Sequence, residues 1–248
     1  MCETCGCGVN NPNGFLHEHE SEPKRVELEE KVLRHNDRLA ERNRGIFEAT
    51  QVLVVNLVSS PGAGKTTLLE TTIRALKGEM AIGVIEGDQQ TDRDAKRIEA
   101  TGVNVLQINT IDACHLDAHM IKHALDHFSL PELDLLFIEN VGNLICPGAF
   151  DLGEDFRVVV LSAPEGEDKP LKYPGVFIGS HLVLVSKVDL LRILELEVNQ
   201  FFTNVKKVHP HVPCLSLSAK TGEGMEGWYA WLRDKVKAKK KNLNQPPR

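Results

Sequence analysis

The sequence predicts an α/β fold with a mostly parallel, doubly wound sheet, preceded by an N-terminal helix and a flexible metal-binding tail. Three observations lead there. Continuous apolar runs of strand length, such as VLVVNLV and DLLFIE, alternate with helix-length stretches from residue 51 onward. Such runs are buried on both faces, as in parallel sheets whose right-handed crossovers cover both sides. The first run also leads directly into a glycine-rich turn with Gly-Lys-Thr at its end, the arrangement of a strand, a phosphate loop and a helix.

The elements follow in order. Residues 1–23 hold Gly, Asn, Pro and acidic residues without an apolar period and read as the flexible tail. Residues 24–50 read as one amphipathic helix. Val26, Leu33, Ala40 and Phe47 recur every seven residues, and Val32, Leu39 and Ile46 form a second row beside them. Residues 51–238 form the sheet domain, with strands expected at 52–58, 81–86, 103–108, 133–139, 157–162, 182–186 and 213–218. Residues 239–248 read as a disordered basic tail, its lysines a solvated end. The 248 residues are 42% hydrophobic, enough for a sizeable core, and the formal net charge is −6. That charge disfavours nonspecific nucleic-acid or anionic-membrane binding, and no apolar run is long enough to span a bilayer. The N-terminus lacks the basic-then-apolar pattern of a secretory signal. A cytoplasmic location follows as the expectation, and there clustered cysteines read as metal ligands or redox groups rather than disulfides.

The phosphate loop is Ser59-Ser60-Pro61-Gly62-Ala63-Gly64-Lys65-Thr66-Thr67, which makes the domain a P-loop NTPase. Backbone N–H groups and the helix N-terminus cradle phosphates, Lys65 reaches the β and γ phosphates, and the Thr66 hydroxyl is a Mg²⁺ ligand. Ser59 stands where the general pattern has its first glycine. Glu139 ends a later strand, and Gly142 follows three residues on, placed to offer its N–H to a γ-phosphate. Ile85-Glu86-Gly87-Asp88 ends another strand on the same carboxyl edge, where open α/β sheets bind ligands. Lys65, Asp88 and Glu139 are therefore the candidate catalytic residues, with Thr66, Asp88 and Glu139 around Mg²⁺. The competing reading of Asp88 is a cap for a helix near 92–100.

Lys187 and Asp189 follow the strand at 182–186. Asp189 can accept from N1–H and N2–H₂ of guanine. Adenine lacks those donors and would leave a carboxylate unpaired. Lys187 can lie along the base, and Ser218-Ala219-Lys220 reads as the second base-contacting loop. Many GTPases carry Asn where this chain has Ser186. GTP and GDP are thus the expected nucleotides. No obvious base or arginine finger for the attacking water is visible, which predicts slow intrinsic hydrolysis.

Three thiols, Cys2, Cys5 and Cys7, lie within six residues, and Gly6 lets the chain turn tightly between them. Thiolates suit zinc, nickel or copper(I). Cys114 and His115 are expected at a helix start, where a thiol pKa is lowered. Cys146 lies four residues beyond Gly142, so a loop that senses phosphate runs into a metal ligand. Cys114, His115 and Cys146 fit an open site or one shared across a dimer. Cys214 reads as strand core. His115, His119, His123 and His127 recur every four residues as one helical stripe, and His17 and His19 are possible helpers of the tail thiols.

Together these features resemble the HypB family, the SIMIBI-class GTPases that insert nickel into [NiFe]-hydrogenase. The resemblance rests on Cys2-x-x-Cys5-Gly6-Cys7, RLAERNR at 38–44, NLVSSPGAGKTTLL at 56–69, VIEGDQQT at 84–91, CHLDA at 114–118, FIENVGNLICP at 137–147, FDLGE at 150–154, EGEDKPLKYP at 165–174 and KVDLL at 187–191. It implies that Cys2, Cys5 and Cys7 are high-affinity Ni²⁺ ligands. It also implies that Cys114, His115 and Cys146 take Zn²⁺ or Ni²⁺ at the interface of a GTP-dependent homodimer. The expected partners are the companion metallochaperone HypA and the hydrogenase large-subunit precursor. The competing readings are a passive nickel store and an ATP-dependent kinase of similar fold.

Overall fold

The computed structural model describes residues 23–88, 93–110 and 113–241. The predicted ligands Cys2, Cys5 and Cys7, with His17 and His19, lie outside the described residues. The chain divides into Met1–Val32 and Leu33–Arg248. The described part of the first unit is helical, the opening turns of α1 (Pro23–Thr50).

The second unit alternates strands and helices. The strands are β1 (Leu53–Ser59), β2 (Ile82–Asp88), β3 (Asn104–Asn109), β4 (Leu135–Glu139), β5 (Phe156–Ser162), β6 (Leu182–Ser186) and β7 (Cys214–Ser216). After α1 come α2 (Lys65–Leu76), α3 (Arg93–Glu99), α4 (Ala118–Leu125), α5 (Cys146–Ala149), α6 (Lys169–Lys172), α7 (Pro174–Ile178), α8 (Val198–Val208) and α9 (Met225–Lys241). The strands form one sheet in the order β3-β2-β4-β1-β5-β6-β7, and every pair is parallel. β1 lies between β4 and β5, with Leu57 opposite Glu139 and Ser59 opposite Val160. The chain reverses its winding direction there, so the carboxyl ends of β1, β2 and β4 open one crevice.

Strand side chains alternate between the two faces of the sheet, which bury three clusters. Leu53, Val55 and Leu57 face a cluster with Leu68 and Ile73 of α2 and Trp228 of α9. Val52 and Val54 face the opposite cluster, with Phe47 of α1 and Ile121 of α4, while Val58 joins Phe177 of α7 and Phe201 of α8. All seven β1 residues are buried, which explains the unbroken apolar run. Trp228 donates from Nε1 to Thr72 Oγ1 at 2.9 Å, so the one polar atom of the largest buried side chain is paired.

Within the second unit, the buried face of α1 is Asn36, Ala40, Asn43 and Phe47. Of the two predicted apolar rows, Ala40, Phe47 and Leu39 are buried, whereas Val32 and Ile46 are exposed. A period near 3.6 carries the stripe through two asparagines instead. They replace hydrophobic seam residues because they meet backbone: Asn43 Nδ2 donates to the carbonyls of Ala118 and Leu152, and Asn36 spans Asp151 O and Ala118 N. At the other end, the expected disordered stretch from 239 begins as helix, since α9 continues to Lys241. Lys239 pairs with Asp155 at 2.5 Å and Lys240 pairs with Asp134. Cys214, expected in the core, is half-buried because β7 is an edge strand.

Candidate functional site

The loop between β1 and α2 owes its shape to two glycines in the left-handed region, Gly62 (φ 74°) and Gly64 (φ 97°). Gly64 is the N-cap of α2, so the first N–H groups of that helix face a crevice of about 410 Å³. Lys65 is buried there and donates from Nζ to Ser59 Oγ at 2.8 Å. This gives Ser59 a structural reason: its hydroxyl holds the lysine that the loop would otherwise leave buried and unpaired. Burial lowers the Lys65 pKa, and the nearby carboxylate of Glu139 opposes that shift.

Acids close the other side. Thr66 Oγ1 donates to Glu139 Oε1 at 2.8 Å, while Glu139 Oε2 is buried without a hydrogen-bond partner. Burial pushes Glu139 up to about 7, against Lys65 and Thr66. Glu86 also has a buried oxygen without a partner, Oε2. Burial, then the charges of Glu139 and Asp88, push it up to about 8. Asp88 lines the same crevice. Two buried carboxylates with orphaned oxygens beside a threonine hydroxyl form an all-oxygen donor set that fits a hard divalent cation. Gly142 closes the crevice against Pro61: a Cβ at residue 142 would lie 2.9 Å from Pro61 Cα.

Beside it lies a second cavity of about 260 Å³, lined by Gly64, Lys187, Asp189, Ser218, Ala219 and Lys220. Lys187 adopts φ 58° and donates from Nζ to Gly62 O at 2.6 Å. Ser186 donates to Ala63 O at 2.8 Å. The serine at the usual Asn position thus ties β6 to the phosphate loop. Asp189 Oδ1 is buried without a partner, a lone acceptor suited to a donor-bearing ring.

Cys114, His115 and Cys146 converge, with one ligand atom from each within 4.8 Å of the others. Cys114 Sγ and His115 Nδ1 are 3.6 Å apart. Ligands around a tetrahedral ion with bonds near 2.0–2.3 Å are separated by about 3.4–3.8 Å, so this soft donor set fits a thiophilic divalent ion. His115 packs against Phe150 with ring centroids 3.8 Å apart and planes tilted by 30°, and burial lowers its pKa. The expected helix start does not hold for Cys114. α4 begins at Ala118, and the Asp117 side chain caps it by accepting from Met120 N. The dipole's positive end therefore meets a carboxylate, and the Cys114 thiol is raised instead, first by its hydrogen bond with Cys146 and then by burial. The histidine stripe breaks for the same reason: His115 precedes the helix and His127 follows it, leaving His119 and His123 on α4.

A buried polar chain runs behind both regions. Asn140, next to Glu139, accepts on Oδ1 from Leu116 N at 3.1 Å and Val141 N at 3.0 Å. Its Nδ2 donates to Asn56 Oδ1 at 3.4 Å, and Asn56 donates to Glu154 Oε1 at 3.1 Å. Glu154 pairs with Arg157, whose guanidinium donates to Gly148 O at 3.0 Å and Phe150 O at 2.9 Å. Asn56, Asn140, Glu154 and Arg157 are all buried. Arg157, Asn56 and the Leu152 N–H hold the Glu154 pKa down despite that burial. Sequence reasoning missed this chain: Asn56 lay inside the apolar run VLVVNLV, Arg157 only opened the strand expected at 157–162, and FDLGE counted only toward the resemblance. It also missed Arg97, which lines the phosphate crevice and donates to Thr67, Glu70 and Asp94.

Residues 53–216 match the family described as CobW/HypB/UreG, nucleotide-binding domain. The chain is 52% identical over 212 residues to a hydrogenase maturation factor HypB of Azotobacter vinelandii, across 86% of this chain and 70% of that protein. Among solved structures it is similar to HypB from Helicobacter pylori in complex with nickel, with 39% identity and a TM-score of 0.78 over 82% of this chain and 96% of that one. It is likewise similar to HypB of Archaeoglobus fulgidus, with 40% identity and a TM-score of 0.77 over 82% and 98% of the two chains.

Proposed function

The chain belongs to the HypB family of P-loop NTPases, and on that premise we propose that it hydrolyses GTP to deliver nickel for [NiFe]-hydrogenase maturation, with nucleotide state coupled to metal binding and dimerisation. The observation that carries this reading is one continuous segment. It runs from Glu139 through Gly142 against Pro61 to Cys146, and is backed throughout by the chain of buried polar groups from Asn140 to Arg157. In this reading a change at the phosphate end reaches both metal-ligand loops through that segment and the hydrogen bonds behind it.

In this reading the backbone of Pro61, Gly62, Ala63, Gly64 and Thr67 and the Lys65 ammonium hold the phosphates. Thr66, Glu139 and Asp88 would hold Mg²⁺, which would supply charge neutralisation at the phosphates. The orphaned oxygen of Asp189 accepts from guanine, Lys187 lies along the base, and Ser218, Ala219 and Lys220 close its edge. The Gly142 N–H reads the γ-phosphate. Cys114, His115 and Cys146 carry Ni²⁺ or Zn²⁺ across a GTP-dependent homodimer, and Cys2, Cys5 and Cys7 hold Ni²⁺ tightly. Intrinsic hydrolysis is slow. The partners are HypA and the hydrogenase large-subunit precursor, met in the cytoplasm. Among the described residues no helix is long and apolar enough to cross a membrane.

The test is a metal titration of the Cys114/His115/Cys146 site with a nonhydrolysable GTP analogue and with GDP. Unequal affinities are expected, and linkage requires that metal shift the nucleotide affinities by the same factor. Equal affinities would overturn the coupling. A competition of GTP against ATP separates the guanine reading from a kinase-like one, because equal competition contradicts the role of Asp189. A passive store predicts normal hydrogenase maturation in Lys65→Ala; lost maturation with full metal content removes that alternative.

A further inference from the structure

We propose that Arg157 is a positioning residue for the Cys114/His115/Cys146 site: its guanidinium fixes the backbone that carries Cys146 and the residue whose ring packs against His115. The inference rests on the proposed reading of those three residues as a soft-metal site, and deepens it by naming what sets their spacing.

Arg157 is the second residue of β5 and is buried. Nη1 donates to Gly148 O at 3.0 Å, and Nη2 donates to Phe150 O at 2.9 Å. Nε donates to Glu154 Oε1 at 3.0 Å, so a buried carboxylate balances the charge. Gly179 packs closely on the same group: a Cβ there would lie 3.3 Å from Arg157 Nη1. The planar fork thus spans two carbonyls while its Nε stays anchored. A lysine ammonium, a point charge on a flexible stem, cannot reproduce that arrangement.

Both carbonyls belong to the segment that carries a metal ligand. Cys146 opens α5, which has only four residues. A helix that short does not hold itself, and its last carbonyls find no partners within it. Ile145 at its N-cap makes no side-chain cap, and Pro147 brings no N–H. What fixes Cys146 must therefore come from outside the helix. Gly148, two residues on, is pressed against α7, where a Cβ would lie 3.2 Å from Val176 Cα, and Arg157 holds its carbonyl. Phe150 follows α5 directly. Its carbonyl is held by the same guanidinium, and its ring packs against His115 with centroids 3.8 Å apart.

One buried side chain therefore limits where both Cys146 Sγ and the His115 ring can sit. Cys114 is tied by a different route, because the loop that carries it is held through Leu116 N by Asn140. Losing Arg157 should leave Cys114 in place and free the other two ligands. Outer-shell groups that orient metal ligands typically change metal affinity by about 10–100-fold when removed.

The experiment is a Ni²⁺ titration of the nucleotide-free, full-length protein carrying Cys2→Ser, Cys5→Ser and Cys7→Ser, so that thiolate-to-nickel charge-transfer absorption reports on Cys114 and Cys146. Arg157→Lys is expected to weaken Ni²⁺ binding about tenfold or more and to lower the charge-transfer intensity per bound ion, because Cys146 engages less fully. Arg157→Met combined with Glu154→Gln removes the cation together with its buried counter-charge, which spares the fold an unpaired carboxylate. It should weaken binding at least as much, with a circular dichroism spectrum like that of the parent. Leu76→Ala, which opens a cavity at the fully buried end of α2, lowers stability and should leave both metal readouts unchanged. Parent affinity and parent charge-transfer intensity in both Arg157 variants, or an equal loss in Leu76→Ala, would overturn the positioning role alone. Absence of Ni²⁺ binding in the parent protein would overturn the metal reading itself and this inference with it.

Discussion

The side-chain oxygen of Asn140 accepts the backbone N–H of Leu116 at 3.1 Å, joining the segment after Glu139 to the loop that carries Cys114 and His115. The same oxygen holds Val141 N, and the amide nitrogen begins the buried path through Asn56 and Glu154 to Arg157. Asn140→Ala would leave buried backbone donors unpaired, each costing about 1–3 kcal/mol. A lower denaturation midpoint is expected, together with loss of the difference in metal affinity between GTP-analogue and GDP states. Asn140→Asp keeps the acceptor oxygen for Leu116 and should retain more stability while breaking the donor link to Asn56. Metal affinities that still differ by the wild-type factor in both variants would show that coupling takes another path.

The paired acids make the nucleotide-free protein pH-sensitive. Glu86, facing Glu139, Asp88, Asp94 and Lys65, is pushed up to about 8, and Glu139 up to about 7. Both stand above their unfolded value near 4.5, so the folded state binds more protons than the unfolded state in between. Stability therefore falls as pH rises from about 4.5 to 8. Mg²⁺ with nucleotide requires the ionised forms, so its binding should release protons near neutrality and flatten this dependence. Denaturation midpoints at pH 5.5, 6.5 and 7.5, with and without Mg·GDP, test both statements. A midpoint in the free protein that rises across this range would contradict them.

In the proposed reading Asp189 sets the choice of base through Oδ1, a buried oxygen without a hydrogen-bond partner. Asp189→Asn replaces one acceptor with a donor facing the guanine donors. Hydrogen bonds to charged groups contribute about 1.5–3 kcal/mol, so GDP affinity should fall roughly 10–100-fold. Xanthine carries a carbonyl where guanine has its amino group, and XDP affinity should rise in the same variant. Fluorescent-nucleotide titration reads both changes, and unchanged GDP binding would remove Asp189 from the site.

Gly153 is where the second unit's part of α1 meets the loop before β5. Its φ is 88°, and a Cβ there would lie 2.5 Å from Ala40 O and 2.9 Å from Arg44 N. Gly153→Ala combines backbone strain with a backbone clash, and about 2–3 kcal/mol or more of destabilisation is expected by chemical denaturation. Arg44→Ala removes only a partly exposed ion pair to Asp151 and should cost under about 1 kcal/mol. A Gly153→Ala effect as small as that of Arg44→Ala would mean that the loop yields freely.

Much of this was legible because it is local. Apolar runs marked β1 and β4, and Gly62, Gly64 and Lys65 announced the phosphate loop. Lys187 and Asp189 were readable because a strand end placed them on the same edge. The convergence of Cys114, His115 and Cys146 was also expected, since both loops leave the carboxyl edge of the sheet. What stayed hidden is nonlocal polar pairing. Asn36 and Asn43 interrupt an apolar stripe because their partners are backbone groups 75 to 115 residues away. Asn56 sits in a continuous hydrophobic strand because Glu154, 98 residues on, receives its amide. The thiol shift failed because α4 begins only at Ala118 with Asp117 as its cap, and the hydrogen bond with Cys146 and then burial raise Cys114 instead.

Gly142 gives the most direct probe of the phosphate end. An added Cβ would meet Pro61 Cα at 2.9 Å and Pro61 N at 3.1 Å, and both are backbone atoms that cannot rotate away. Gly142→Ala must therefore push the 140–146 loop away from the phosphate loop or distort Pro61 itself. If the loop moves, the N–H of residue 142 leaves the position proposed for its γ-phosphate contact, and affinity for a GTP analogue should fall by roughly tenfold while GDP affinity stays near wild type. Cys146, four residues on, would be carried along, so the metal affinity of the GTP-analogue state should approach that of the GDP state. If Pro61 distorts instead, both nucleotides weaken together. Titration of the two nucleotides distinguishes these outcomes. Equal loss, with metal affinities still responding to nucleotide, would mean that Gly142 only shapes the phosphate loop and does not report on what the loop holds.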